Sequence, residues 1–210
     1  DGAVLMPGAF IDIAESFGII SGIDRQIIEK TMRFQAALKK KGSTLRFGVN
    51  LSGKDLADAD LFRFLSDKLE ETGADPGALI FEITETAAIR DIDVAVKFID
   101  GLKGLGSQIA LDDFGVGFTS FSYLRKMRVD FIKIDGSFIR KLHLNKDDQV
   151  FVRAMTDMAR GLGIKSVAEF VEEKQTLDLL GTFGVDYAQG YLIGRPAVDI
   201  LEEEPRLLRA

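Results

Sequence analysis

A chain of 210 residues is long enough for one domain with a substantial core, and 46% hydrophobic with 29% charged residues is the balance of a globular protein. The formal net charge of -6 argues against a surface that coats DNA or an anionic membrane, but leaves room for a small phosphate ligand held through metal ions. With no cysteine, the chain has no disulfide, thiolate nucleophile or cysteine metal site.

In chain order the pattern predicts helices over Gly8–Phe17 and Ile23–Lys39, a strand in LRFGVNL (45–51) and a helix over Leu56–Glu71. The turn GADPG (73–77) leads to a strand in LIFEITE (79–85), a helix over Val94–Leu105 and a strand in SQIALD (107–112). VDFIKID (129–135), SVAEFV (166–171) and YAQGYLI (187–193) supply three more strands, separated by helices over Asp148–Gly161 and Lys174–Phe183. The tail from Ala197 reads as a peripheral helix, and no apolar run approaches membrane-spanning length.

The strands are near-continuous apolar runs, the mark of strands covered on both faces, and their alternation with helices implies a parallel sheet with helical crossovers. An open doubly wound sheet and a (β/α)8 TIM-like barrel both satisfy that pattern. No GxGxxG opens a helix after the first strand, which weakens a dinucleotide-binding reading. Asn50, Glu82, Asp112, Lys133, Glu169 and Gln189 each fall in or at the C-terminal half of a different strand. A barrel gathers such ends at one mouth, whereas an open sheet concentrates ligands at its switch point, so the barrel is favoured. Six strands are two short of a closed barrel, so the expectation is one α/β domain over 1–210, truncated at its N-terminus.

Carboxylates in buried strands are costly unless paired or bound to metal. Glu82, Asp112, Asp113 and Glu169 would face one mouth, with Asn50 offering a neutral oxygen, Glu85 close by and Lys133 the one cation of the set. Oxygen ligands without Cys or His select Mg²⁺ or Mn²⁺. Adjacent aspartates can divide their oxygens between two ions, an arrangement suited to phosphodiester hydrolysis, with Lys133 orienting water or neutralising charge. Any one of these acids alone is more often a helix cap, and Lys133 alone could be a buried ion-pair partner. An enolase-like barrel with Lys133 as base is the competing enzyme class, and paired aspartates before a glycine turn suit it less well. The lone histidine, His143, reads as structural.

The pieces VNLS (49–52), FEITET (81–86), DDFGVGFTSFSYL (112–124), VDFIKID (129–135), VAEFVE (167–172) and YAQGYLIGRP (187–196) resemble the EAL domain family of bacterial cyclic di-GMP phosphodiesterases. They stand in the family's order and span almost the whole chain. The resemblance implies a (β/α)8-like barrel and hydrolysis of one phosphodiester of cyclic di-GMP to linear pGpG. It implies metal ligation by Asn50, Glu82, Asp112 and Glu169, with Asp113 serving the second metal. It further implies that Lys133 assists the attacking water, that Gln189 contacts water or substrate, and that Glu85 fixes the loop Phe114–Ser120. Phe114, Gly115 and Arg195 complete the implied substrate contacts. A homodimer, an attached sensory or GGDEF domain, a cytoplasmic setting, and no contact with DNA or membrane belong to the same expectation.

Two departures qualify the resemblance. The Glu-Ala-Leu motif is absent, its strand being expected just ahead of Asp1, and Phe170 stands where many members carry glycine in AEGVE. A cyclic di-GMP receptor without catalysis is therefore the alternative reading.

Overall fold

The computed structural model describes residues 7–117 and 122–197. In chain order it contains α1 (Ile11–Phe17), α2 (Ile20–Lys40), β1 (Phe47–Asn50), α3 (Ala59–Thr72), β2 (Leu79–Thr84), α4 (Glu85–Arg90) and α5 (Ile92–Gly104). It continues through β3 (Gln108–Phe114), β4 (Phe131–Ile134), α6 (Gly136–Ile139), α7 (Lys146–Gly161), β5 (Lys165–Ala168), α8 (Lys174–Phe183) and β6 (Tyr187–Ala188). All six expected strands are present, with shifted ends. The predicted tail helix and the loop positions 118–120 lie outside the described residues.

Two compact units divide the chain: Asp1–Ile83 with Arg90–Ile109, and Thr84–Ile89 with Ala110–Ala210. In the first, β1 pairs parallel with β2, placing Asn50 opposite Glu82. Its core includes Ile28, Met32, Leu61, Leu65, Phe81, Phe98 and Ile99. The helix expected from Leu56 begins three residues later, because Asp58 leaves the helical conformation and its carboxylate accepts the Asp60 N–H. A 3-10 turn, Asp55–Ala57, fills the interval.

In the second unit β3, β4, β5 and β6 pair successively, all parallel. Every residue of β4 is buried, Lys133 included. Around it the core draws on Leu111, Phe114, Ile132, Ile134, Leu142, Val152, Ala168 and Val171. Helix α7 starts where the Asn145 side chain accepts from the Asp147 and Asp148 N–H groups, and α8 ends at left-handed Gly184.

The strand ends deviate in ways that matter for the site. Strand β5 stops at Ala168, because Phe170 takes a left-handed backbone (φ 53) that no extended strand accommodates. Strand β3 runs through both aspartates to Phe114, two residues past the predicted end.

Candidate metal centre

Successive strand residues point to opposite faces, so an unbroken strand would part Asp112 from Asp113. Strand β3 avoids this with an irregularity. Leu111 pairs with Ile132 and Phe114 with Ile134, so three steps along β3 match two along β4. The extra residue is a bulge, and Asp113 within it has φ 52. Aspartate tolerates this left-handed conformation better than most residues. The result is local: Asp112, Asp113 and Glu169 each offer a carboxylate oxygen within 4.8 Å of the others.

Lys133 stands among them from the middle of the sheet. Its Nζ lies 3.0 Å from Asp112 Oδ1 and 2.9 Å from Glu169 Oε1, with its side chain only 8% exposed. The three charged residues come from the C-terminal ends of adjacent parallel strands, which explains their convergence. Burial pushes the Glu169 carboxyl above its ordinary range, against the pull of Lys133. Burial likewise raises Asp113, with the neighbouring charges of Asp112 and Asp135 adding to it. Carboxylates that repel one another and resist ionisation gain most from a bound cation. An all-oxygen donor set fits a hard divalent ion rather than a soft one.

Glu85 serves the loop after the pair. Its buried carboxylate accepts the Gly115 N–H at 3.0 Å and the Gly117 N–H at 3.3 Å through Oε2, and the Tyr123 hydroxyl through Oε1. Gly115 has φ 103, and a Cβ there would press on Met155 and Phe138. The Phe114 side chain is wholly buried.

At the ends of β5 and β6 the backbone is closely joined. Gln189 donates to Ala168 O at 2.8 Å and accepts from Val171 N at 3.0 Å, and Leu192 N donates to Val171 O at 3.1 Å. A Cβ on Gly190 would collide with the Val171 backbone, which only glycine permits. The Gln189 side chain is exposed. Arg195 is exposed and lays its guanidinium 4.6 Å from the Tyr191 ring centre. Asn50 and Glu82 belong to the first unit, Asn50 exposed and Glu82 half-buried at the ends of β1 and β2.

The EAL domain model matches residues 1–196 of this sequence. The chain belongs to the EAL domain family. It is 38% identical to "Cyclic di-GMP phosphodiesterase PdeB" of Shewanella oneidensis, over 93% of this chain and 23% of the relative. It is 37% identical to "Cyclic di-GMP phosphodiesterase PdeF" of Escherichia coli, over 95% of this chain and 27% of the relative. The chain thus spans about a quarter of the length of these curated relatives. Among solved structures, "PaMucR Phosphodiesterase, c-di-GMP complex" is 34% identical with a TM-score of 0.87, covering 93% of this chain and 80% of that one. The fold is that of EAL domains, the TIM-barrel-like α/β class expected from the strand pattern.

Three features of this EAL domain escaped the sequence. The bulge that aims both aspartates together has no signature beyond their adjacency. Tyr123 lies 38 residues from the Glu85 it binds. A buried acid pair, Asp24 and Asp55, grips the segment after Asn50. Ser52 N donates to Asp24 Oδ2 and Asp55 Oδ2, both at 3.2 Å, and Ser52 Oγ donates to Asp55 Oδ2 at 3.1 Å. Burial, with the neighbouring Asp55 adding to it, pushes the Asp24 carboxyl up to about 7. No helical amphipathic pattern marks such a pair. His143 is set between Thr176 and Glu173, at 3.1 Å from each.

Proposed function

We propose that this EAL domain hydrolyses one phosphodiester bond of cyclic di-GMP, releasing linear pGpG. The observation that carries the reading is the Asp112–Asp113–Glu169 cluster with Lys133 inserted among its carboxylates. Family membership and relatives named as cyclic di-GMP phosphodiesterases support the substrate.

Asp112, Asp113 and Glu169 would hold divalent cations, Mg²⁺ or Mn²⁺, with Asn50 and Glu82 as further oxygen ligands. Two such ions, when bound, supply Lewis-acid stabilisation of phosphoryl charge and lower the pKa of water. The chain's own groups do the rest. Lys133, fixed by two carboxylates, orients the attacking water and offsets charge gathering on the phosphoryl oxygens. Gln189, exposed at the end of β6, orients water or ligand. Glu85 holds the backbone of Gly115 and Gly117, and so fixes the turn that follows Asp113. Phe114, Gly115 and Arg195 are assigned to the ligand side, Phe114 by setting the turn from within the core. A homodimer, an attached sensory or GGDEF domain and a cytoplasmic setting complete the reading.

The test is incubation of the chain, and of the protein that contains it, with cyclic di-GMP and Mg²⁺ or Mn²⁺, followed by chromatography. Metal-dependent appearance of pGpG supports hydrolysis. Tight binding without pGpG refutes it and assigns the domain as a receptor.

A further inference from the structure

Directly after Glu169 the chain does something that an L side chain resists. Phe170 adopts φ 53, yet its side chain is not hidden: the residue is 43% exposed, whereas Phe81, Phe98 and Phe114 are at most 1% exposed. Non-glycine residues in this region of backbone space are held there by their surroundings, and they cluster at ligand clamps.

The surroundings of Phe170 are built for the ring. Gly136, the first residue of α6, lies against it, and a Cβ at that position would collide with the ring. One turn on, Arg140 sets its guanidinium 3.9 Å from the ring centroid. The same guanidinium lies 3.9 Å from the carboxylate of Glu172, two residues past Phe170 in the sequence. Glycine makes the seat, arginine stacks on the ring, and the strained backbone follows directly on Glu169 of the cluster in the sequence. Shielding of Gly136 alone would require neither the strain nor an aromatic.

We propose that Phe170 is a stacking platform for a purine base of the nucleotide ligand, with Arg140 holding the ring and bringing positive charge to the same place. The inference rests on the nucleotide reading above and deepens it: the base, not only the phosphodiester, is recognised at the end of β5. Stacking on an aromatic face is tolerant of base identity, so the platform contributes affinity, and the metal cluster determines which bond is cut.

The experiment is calorimetric titration of the full chain with cyclic di-GMP and with ribose 5-phosphate, which carries phosphate and sugar but no base. Three variants are compared with the wild type. Phe170→Gly suits the left-handed backbone without strain. Phe170→Leu keeps apolar bulk over Gly136 without a π-face, and Phe170→Trp keeps the π-face. Phe170→Gly and Phe170→Leu are expected to weaken cyclic di-GMP binding about tenfold. Phe170→Trp is expected to retain it, and ribose 5-phosphate to bind all four proteins alike. Circular dichroism identifies any variant that does not fold, and the remaining pair decides the result. Unchanged cyclic di-GMP affinity in Phe170→Leu and Phe170→Gly overturns the inference. So does a wild type that binds cyclic di-GMP no more tightly than ribose 5-phosphate. Absence of pGpG with the tenfold difference intact refutes the phosphodiesterase reading and leaves the platform standing.

Discussion

Lys133 Nζ lies 2.9 Å from Glu169 Oε1, a buried ion pair joining the ends of two neighbouring parallel strands, with Asp112 Oδ1 at 3.0 Å on the same ammonium. The pair answers a question that the sequence posed: what compensates several carboxylates at the edge of a core. Part of the compensation is built in.

That ammonium also competes with any divalent cation for the same oxygens. Lys133→Met is therefore expected to separate binding from turnover. Hydrolysis of cyclic di-GMP should fall about a hundredfold or more. Mn²⁺ should bind at least as tightly, as read by calorimetry. Without metal the variant should lose about 3 kcal/mol in chemical denaturation, since breaking a buried pair leaves charge uncompensated. Added Mn²⁺ should restore much of that loss, because a ligand that binds the folded state stabilises it.

Asp113 is the residue that the bulge exists to aim. Asp113→Asn keeps a side chain that tolerates φ above zero while removing one charge. The expected outcome is an intact fold and one cation fewer per chain in a Mn²⁺ titration, with pGpG production reduced about a hundredfold. Two full equivalents of Mn²⁺ in the variant would exclude Asp113 as the second-metal ligand.

Glu85 holds the turn by three hydrogen bonds, two of them to backbone. Glu85→Gln can replace at most part of that acceptor set, so stability should drop by about 1–3 kcal/mol. Tyr123→Phe removes a single partner and should cost about 1 kcal/mol. In hydrogen exchange the amides of Gly115 and Gly117 should lose protection in Glu85→Gln and keep most of it in Tyr123→Phe.

Asp24 gives the clearest dependence on pH. Its carboxyl titrates at about 7 in the folded chain against 3.8 when free, so the folded state holds the proton more tightly. The stabilisation from the protonated pair is complete below pH 3.8, shrinks as pH rises, and is gone above about 7. At 1.36 kcal/mol per pKa unit the span is about 4 kcal/mol. Asp24→Asn supplies a permanent donor to Asp55 and removes the titration. Melting curves from pH 5 to pH 8 should fall less steeply for the variant, which becomes the more stable protein at pH 8. Parallel curves would show that no proton is shared.

The parts that sequence displayed well are those governed by periodicity and composition. Apolar runs such as FIKI marked strands buried on both faces, and Lys174–Phe183 emerged as a helix with the predicted bounds. Strand-end polar residues were legible because a carboxylate in an apolar run is expensive and therefore conspicuous. Conformation at single residues was not legible. Phe170 and Asp113 with positive φ, the β3 bulge and the Asp24–Asp55 pair depend on contacts between distant segments, which no local pattern encodes. The boundary at Asp58 was missed for a related reason, since a capping aspartate inside an amphipathic stretch looks like one more polar residue.

The close backbone apposition of Gly190 and Val171 leaves no room for one strand end to slide past the other. With Gln189 bonded to Ala168 and Val171, the segments beyond β5 and β6 form a single plate rather than two independent fingers. Phe170 lies between the two residues, Ala168 and Val171, whose backbone is bonded to Gln189. A side chain of any size at position 190 would press on the Val171 backbone, two residues from Glu169 of the cluster.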